Sequence, residues 1–282
     1  MIRLAIRVGR AQAEIGLAGL LGLAPSGVEE VELADGSIEY AIYGAPAEVP
    51  ELRDLRAVLG GALLDVSQTT VADDWTERWR EFHQPSEVGG RLRVRAPWEP
   101  AIDVGNGAGE RWVEIVIEPA QAFGTGAHPT TRLCLELLLS LQRDGRGNGP
   151  LTDVGCGSGV LAIAAAMLGW DPVVGTDHDP ASVAATLANA AANGVSVDVG
   201  LLDLRREEIP SAPTMTANLL APLLQDLAVR MTDPPPVRLI AGGLLIDQVD
   251  AVTAALADRQ GLVEIERRHE GEWAAVLLGR DR

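Results

Sequence analysis

Residues 151–165 read LTDVGCGSGVLAIAA. The apolar Leu151 and Val154 bracket a short run that suits a buried strand, and Val160 to Leu168 is an uninterrupted apolar stretch that suits a buried helix. Between them, Gly155, Gly157 and Gly159 fall at alternate positions. Lacking side chains, these residues let the chain turn sharply from strand into helix and let a ligand approach the backbone. The helix start that follows favours a negatively charged group such as a carboxylate or phosphate. Strand, glycine turn and helix together are the opening unit of a doubly wound α/β sheet, and the glycines mark where it binds its ligand.

Downstream, VVGTD ends a second strand at Asp177, twenty-two residues after Gly155. An acidic group there can accept hydrogen bonds from both hydroxyls of a ribose. That spacing alone also fits a nicotinamide dinucleotide. The dinucleotide fingerprint, however, wants G-x-G-x-x-G, and Val160 stands where its third glycine belongs. Asp153, just before the loop, is a poor neighbour for a pyrophosphate and a good one for a sulfonium and an ammonium. The combination favours S-adenosylmethionine over a nicotinamide cofactor.

Three further positions complete the candidate site. Asp203, in LLDLRRE, ends the third strand, where it either accepts from an adenine amino group or belongs to a solvated acidic loop. Asn218, in TMTANLLAPLL, stands at the end of the fourth strand. Its carboxamide oxygen can accept from an acceptor amine and orient it, the rival reading being a turn-forming Asn. Upstream, AFGTGAHPTTRLCLELLL is a glycine loop entering a helix at Pro129. The hydroxyls of Thr130 and Thr131 can cap that helix or contact the cofactor, and His128 is either a base for a departing proton or a structural residue of the loop.

Working outward, strand-like and helical runs alternate from Trp112 to the end, and LVEIERR and EWAAVLLG close the chain as a hairpin. This pattern predicts a mostly parallel sheet with an antiparallel addition over 111–282. Residues 1–70 read as a βαββαβ unit, the order of a ferredoxin-like fold, with a turn at Asp35-Gly36. Residues 71–110 form a connector, rich in Pro, Gly and Asn from 97 onward, in which Trp75, Trp79 and Phe82 recur at helical spacing as packing residues.

Composition limits the function. A formal charge of −17 argues against direct nucleic-acid binding by counterion release and favours a basic partner. All 23 basic residues are arginine. The two cysteines, Cys134 and Cys156, have neither disulfide-framework nor metal-ligand spacing, which points to a reducing compartment and no metal. The acidic and polar residues near the N-terminus argue against an export signal, and the sequence has no apolar run long enough to span a bilayer. A cytoplasmic location is expected.

Four segments carry a resemblance to a known family: AFGTGAHPTTRLCLELL, the glycine loop with VVGTDHDPASVAATLANAAANGV, TANLLAPLL, and EGEWAAVLL. The chain resembles the ribosomal protein L11 methyltransferases, the PrmA type. GTGAHPTT is the most specific of these, since methyltransferases in general share only the glycine loop. The resemblance implies a seven-stranded Rossmann-like catalytic domain and an N-terminal module that recognises a basic ribosomal protein. It implies methyl transfer from S-adenosylmethionine to lysine side chains and an α-amine, with cofactor contacts from Thr131, Gly155, Asp177 and Asn218. Gly157 lies within the same loop. The alternatives are a methyltransferase acting on another protein or a small-molecule amine, and a non-catalytic cofactor-binding assembly protein.

Overall fold

A computed structural model describes residues 2–10, 13, 17, 20, 28–33, 35–44, 49–50, 52–70, 84–101, 112–119, 126–209 and 211–280. The chain divides into two compact units, Met1–Phe82 and His83–Arg282. Trp75, Trp79, Phe82 and Gly124 lie outside the described residues.

In the first unit, β1 (Ile2–Val8), β2 (Glu29–Glu32), β3 (Ile38–Gly44), α1 (Leu52–Leu59) and β4 (Leu63–Thr70) follow one another. Residues 13, 17 and 20 are helical between β1 and β2, so the βαββαβ order holds wherever the unit is described. The sheet is antiparallel in the order β2-β3-β1-β4, that of a ferredoxin-like fold. Alternation along β1 and β3 buries Leu4, Ile6, Val8, Ile38, Tyr40 and Ile42 with Leu55 of α1. At the expected hairpin turn Gly36 adopts φ 79°, and Asp35 Oδ1 accepts from the Ser37 amide at 3.1 Å and from its hydroxyl at 2.6 Å.

The second unit begins with β5 (Ser86–Val88), β6 (Leu92–Arg95) and β7 (Val113–Val116), which form their own sheet in the order β5-β6-β7. Residues 86–95, placed by composition within the connector, are therefore strands, and β7 pairs with β6 rather than joining the large sheet. The reason is burial. Val88, Leu92, Val94, Ile115 and Ile117 enter the same core as the leucines of α2 (Pro129–Arg143), the helix that opens the doubly wound part.

That part continues with β8 (Gly149–Val154), α3 (Val160–Leu168), β9 (Trp170–Asp177), α4 (Pro180–Ala192), β10 (Asp198–Leu201), β11 (Thr214–Asn218), α5 (Ala221–Arg230), β12 (Arg238–Leu245), α6 (Val249–Gln260), β13 (Val263–Glu270) and β14 (Trp273–Gly279). The sheet has seven strands in the order β10-β9-β8-β11-β12-β14-β13. The first five are parallel; β14, inserted beside β12, runs antiparallel to them, and the edge strand β13, antiparallel to β14, runs in their direction. Two cores flank it, one built with α2 and α3, the other with α5 and α6. The strand order reverses between β8 and β11, which opens a crevice at the carboxyl ends of those strands.

Candidate active site

The glycine loop leaves β8 at that crevice. Gly155, Gly157 and Gly159 all have positive φ (72°, 54° and 82°), a region L side chains rarely occupy. A Cβ on Gly155 would collide with the Leu219 side chain, and one on Gly159 would lie 2.7 Å from Thr186 Cγ2. Both glycines are thus demanded twice, by conformation and by space.

Asp177 ends β9 beside the loop. Its Oδ2 accepts from the Gly157 amide at 3.0 Å and its Oδ1 from the Asp179 amide at 3.0 Å. Each carboxylate oxygen keeps further acceptor capacity, so Asp177 can fix the loop and still receive a pair of hydroxyls. Spacing alone did not foresee the contact between these two site residues.

Asn218 ends β11, beside β8 and β12 in the sheet. Its amide nitrogen donates to Thr131 Oγ1 at 3.3 Å, which joins the strand end to the first turn of α2. Its carbonyl oxygen is buried without a hydrogen-bond partner among the described residues. A buried acceptor left unpaired costs stability, so its retention at a crevice points to a donor that arrives with a ligand.

Asp153 lies one residue inside β8 and is almost wholly buried. Thr216 donates its hydroxyl to Oδ1 at 2.6 Å, while Oδ2 has no hydrogen-bond partner among the described residues. Burial, and to a lesser degree the charge of Asp177, push this carboxyl up to about 7 against the pull of its hydrogen bonds. A cationic ligand group beside it would favour the ionised form.

The other two candidates are engaged locally. His128 is the N-cap of α2: its Nδ1 accepts from the Thr130 amide at 3.3 Å and lies 2.8 Å from the Thr130 hydroxyl. An accepting Nδ1 leaves the ring neutral with its proton on Nε2. Burial, and then the Arg132 charge, hold its pKa below the ordinary value, with Glu270 opposing. The ring packs edge-on against Trp273 at 4.8 Å. Asp203 closes its own turn, with Oδ1 accepting from the Arg205 amide at 3.0 Å and Oδ2 3.4 Å from Arg206 Nε.

Two residues absent from the sequence-based site, Thr186 and Asn189, hold the glycine loop from behind, and a third, Asn193, braces the neighbouring strand. Thr186, Asn189 and Asn193 lie on one face of α4 and just beyond its end. Thr186 donates to Gly157 O at 2.9 Å, and Asn189 donates to Ser158 O at 2.8 Å while accepting from the Glu118 amide at 3.0 Å. Asn193 accepts from the Val116 amide at 2.8 Å and donates to its carbonyl at 2.7 Å. Polar residues at i, i+3 and i+7 in an otherwise alanine-rich helix were the available signal.

These residues fit S-adenosylmethionine: a close-approach glycine turn, a carboxylate at the end of β9, and two buried acceptors without partners, Asp153 Oδ2 and Asn218 Oδ1. With the seven-stranded order they define an S-adenosylmethionine-dependent methyltransferase of the Rossmann-like class. The family model for ribosomal protein L11 methyltransferase (PrmA) matches residues 41–281, and the chain belongs to that family. A relative named ribosomal protein L11 methyltransferase in Geobacter sulfurreducens is 36% identical over 266 residues, 89% of this chain and 83% of the relative. One of the same name in Pelotomaculum thermopropionicum is 37% identical over 261 residues, 88% and 82% of the two chains. The crystal structure of a ribosomal protein L11 methylase from Lactobacillus delbrueckii subsp. bulgaricus matches with a TM-score of 0.60 at 26% identity, covering 71% of this chain and all of that one.

Proposed function

We propose that the chain methylates amino groups of ribosomal protein L11, at lysine side chains and an α-amine, and that it does so in the cytoplasm. The observation that carries this reading is the unpartnered, buried carbonyl oxygen of Asn218, fixed through Thr131. When bound, S-adenosylmethionine supplies an already activated methyl group, so the protein's task is orientation and proton control. Gly155 and Gly157 admit the cofactor against the backbone, Asp177 receives its ribose, and Thr131 sets Asn218. Asn218 Oδ1 accepts an N–H of the incoming amine and thereby aims its lone pair. A lysine with its ordinary pKa of about 10.4 arrives charged, and apolar surface favours the neutral amine. Leu220, exposed beside Asn218, offers such surface.

His128 acts in this reading as a helix cap, and Asp203 as a turn-former rather than an adenine contact. Residues 1–70 serve recognition, 71–110 lead from that unit, and 111–282 carry catalysis. The test is intact-mass analysis of purified ribosomal protein L11 incubated with the enzyme and S-adenosylmethionine. Increments of one methyl mass on L11, with matching S-adenosylhomocysteine, are expected. Cofactor binding without turnover would make the chain a non-catalytic binder, and turnover only on another amine would reassign its acceptor.

A further inference from the structure

We infer that Asn189, assisted by Thr186, is the positioning residue that sets the cofactor-binding shape of the glycine loop. The loop is held at its start by Thr176 O, which accepts from the Gly155 and Cys156 amides at 2.7 and 3.0 Å, so its middle, 157–159, is the part that needs further restraint. Its glycines have wide conformational freedom, so a single geometry needs outside restraint. The Asp177 carboxylate fixes one amide, that of Gly157, and the Gly159 amide turns back to Cys156 O at 2.8 Å. The next two carbonyls, Gly157 O and Ser158 O, are both held from α4, by the Thr186 hydroxyl and the Asn189 carboxamide. In a trans peptide the N–H lies opposite the carbonyl, so anchoring these two oxygens also fixes the directions of the Ser158 and Gly159 amides.

Thr186 and Asn189 are both almost wholly buried, with relative exposures of 0% and 3%. The Asn189 carboxamide is used at both ends, since its oxygen takes the Glu118 amide while its nitrogen holds Ser158. It therefore joins the glycine loop to the segment that follows β7. Thr186 also presses its methyl toward Gly159, which limits movement of the loop toward the helix.

Asn193 supplies an internal control. It makes the same kind of bridge from α4 to the strand segment, through both polar groups of Val116, and also donates to Asn189 O at 2.8 Å, but has no bond to the glycine loop. A purely structural role for Asn189 predicts that Asn189→Ala and Asn193→Ala behave alike. A positioning role predicts that they separate.

The experiment compares Asn189→Ala, Asn189→Asp, Thr186→Val and Asn193→Ala in the full chain. Thermal midpoint, S-adenosylmethionine affinity by calorimetry, and amide hydrogen exchange of 157–160 in the unliganded protein are measured for each. Asn189→Ala should weaken cofactor binding about tenfold, the scale of one lost buried hydrogen bond, and speed exchange in the loop. Asn189→Asp keeps the acceptor for Glu118 but loses the donor to Ser158, so it should show the same cofactor defect. Thr186→Val should show a smaller defect of the same kind. Asn193→Ala should lower the thermal midpoint and leave cofactor affinity and loop exchange near wild type. Equal cofactor affinity in the Asn189 and Asn193 variants would overturn the inference. If Asn189→Ala does not fold, the Asp and Val variants carry the comparison, and wild-type affinity in both would also overturn it. Failure of the acceptor assignment would leave these binding results untouched, because no methyl acceptor enters the measurement.

Discussion

Replacing Asp153 with Asn should change how stability depends on pH, in a direction opposite to that of an ordinary carboxylate. Asp153 is almost wholly buried; the Thr216 hydroxyl and, more weakly, the Ala162 backbone favour its carboxylate, and its Oδ2 has no hydrogen-bond partner among the described residues. Burial raises its pKa from 3.8 to about 7. Since the folded value lies above the unfolded one, the native state holds the proton more tightly. The stability this contributes is full below about pH 4 and is lost as pH rises through about 7. Roughly three pH units at about 1.4 kcal/mol each give about 4 kcal/mol in all. The assay is urea unfolding of the unliganded wild type and Asp153→Asn across that window at fixed ionic strength. Asn is neutral throughout, so subtracting its curve removes the other titrating groups and any constant offset from the substitution. The wild-type advantage should shrink by about 4 kcal/mol from about pH 4 to pH 8. A flat difference would mean that burial does not perturb the carboxyl. A difference that grows with pH would mean that the native site stabilises the carboxylate, and the electrostatic account of the crevice would be wrong.

Two other substitutions separate roles at the acceptor side. Asn218→Ala should lower kcat at least about tenfold while changing S-adenosylmethionine affinity less than about threefold, as steady-state kinetics and calorimetry would read. Equal losses in both would make Asn218 a cofactor contact only. His128→Ala should cost about 1 kcal/mol of stability through the lost cap, whereas His128→Asn, which keeps a capping oxygen, should retain both stability and the pH profile of kcat. A tenfold fall in kcat for His128→Asn with normal stability would restore the histidine as a base.

The large sheet was legible because its signals are local. Alternating strand and helix runs, the glycine turn at 155–159 and the strand-end Asp177 each declare themselves within a few residues. The small sheet was not. Leu92 to Arg95 alternates like a strand, but its pairing with Val113 to Val116 spans the Pro/Gly/Asn-rich run that composition assigns to a connector. Strand pairing across such an interval depends on shared burial with α2, which no local pattern encodes. The same distinction divides the site. Gly155, Asp177 and Asn218 could be named from spacing, whereas the hold of Asn189 on Ser158 could not, because it depends on which face of α4 turns inward.

One further pattern was present in the sequence and needed only the register to be understood. In TMTAN the polar residues Thr214, Thr216 and Asn218 alternate, so a strand presents all three on one face. Parallel pairing sets Thr216 opposite Asp153. The hydroxyl of Thr216 then reaches the carboxylate, and two residues on, Asn218 reaches Thr131 on α2. A polar track thus runs along the face of β8 and β11 from the core to the crevice, with an unpartnered acceptor at each of two steps, Asp153 Oδ2 and Asn218 Oδ1. A polar track that leaves two acceptors unpaired gives up stability that the donors of a bound ligand can return. The cationic end of the cofactor and the N–H of an acceptor amine are donors suited to those two positions. In the proposed reading the order along the strand would set the cofactor deeper and the acceptor at the mouth, so that a methyl donor bound first would leave the acceptor side open to a large protein substrate.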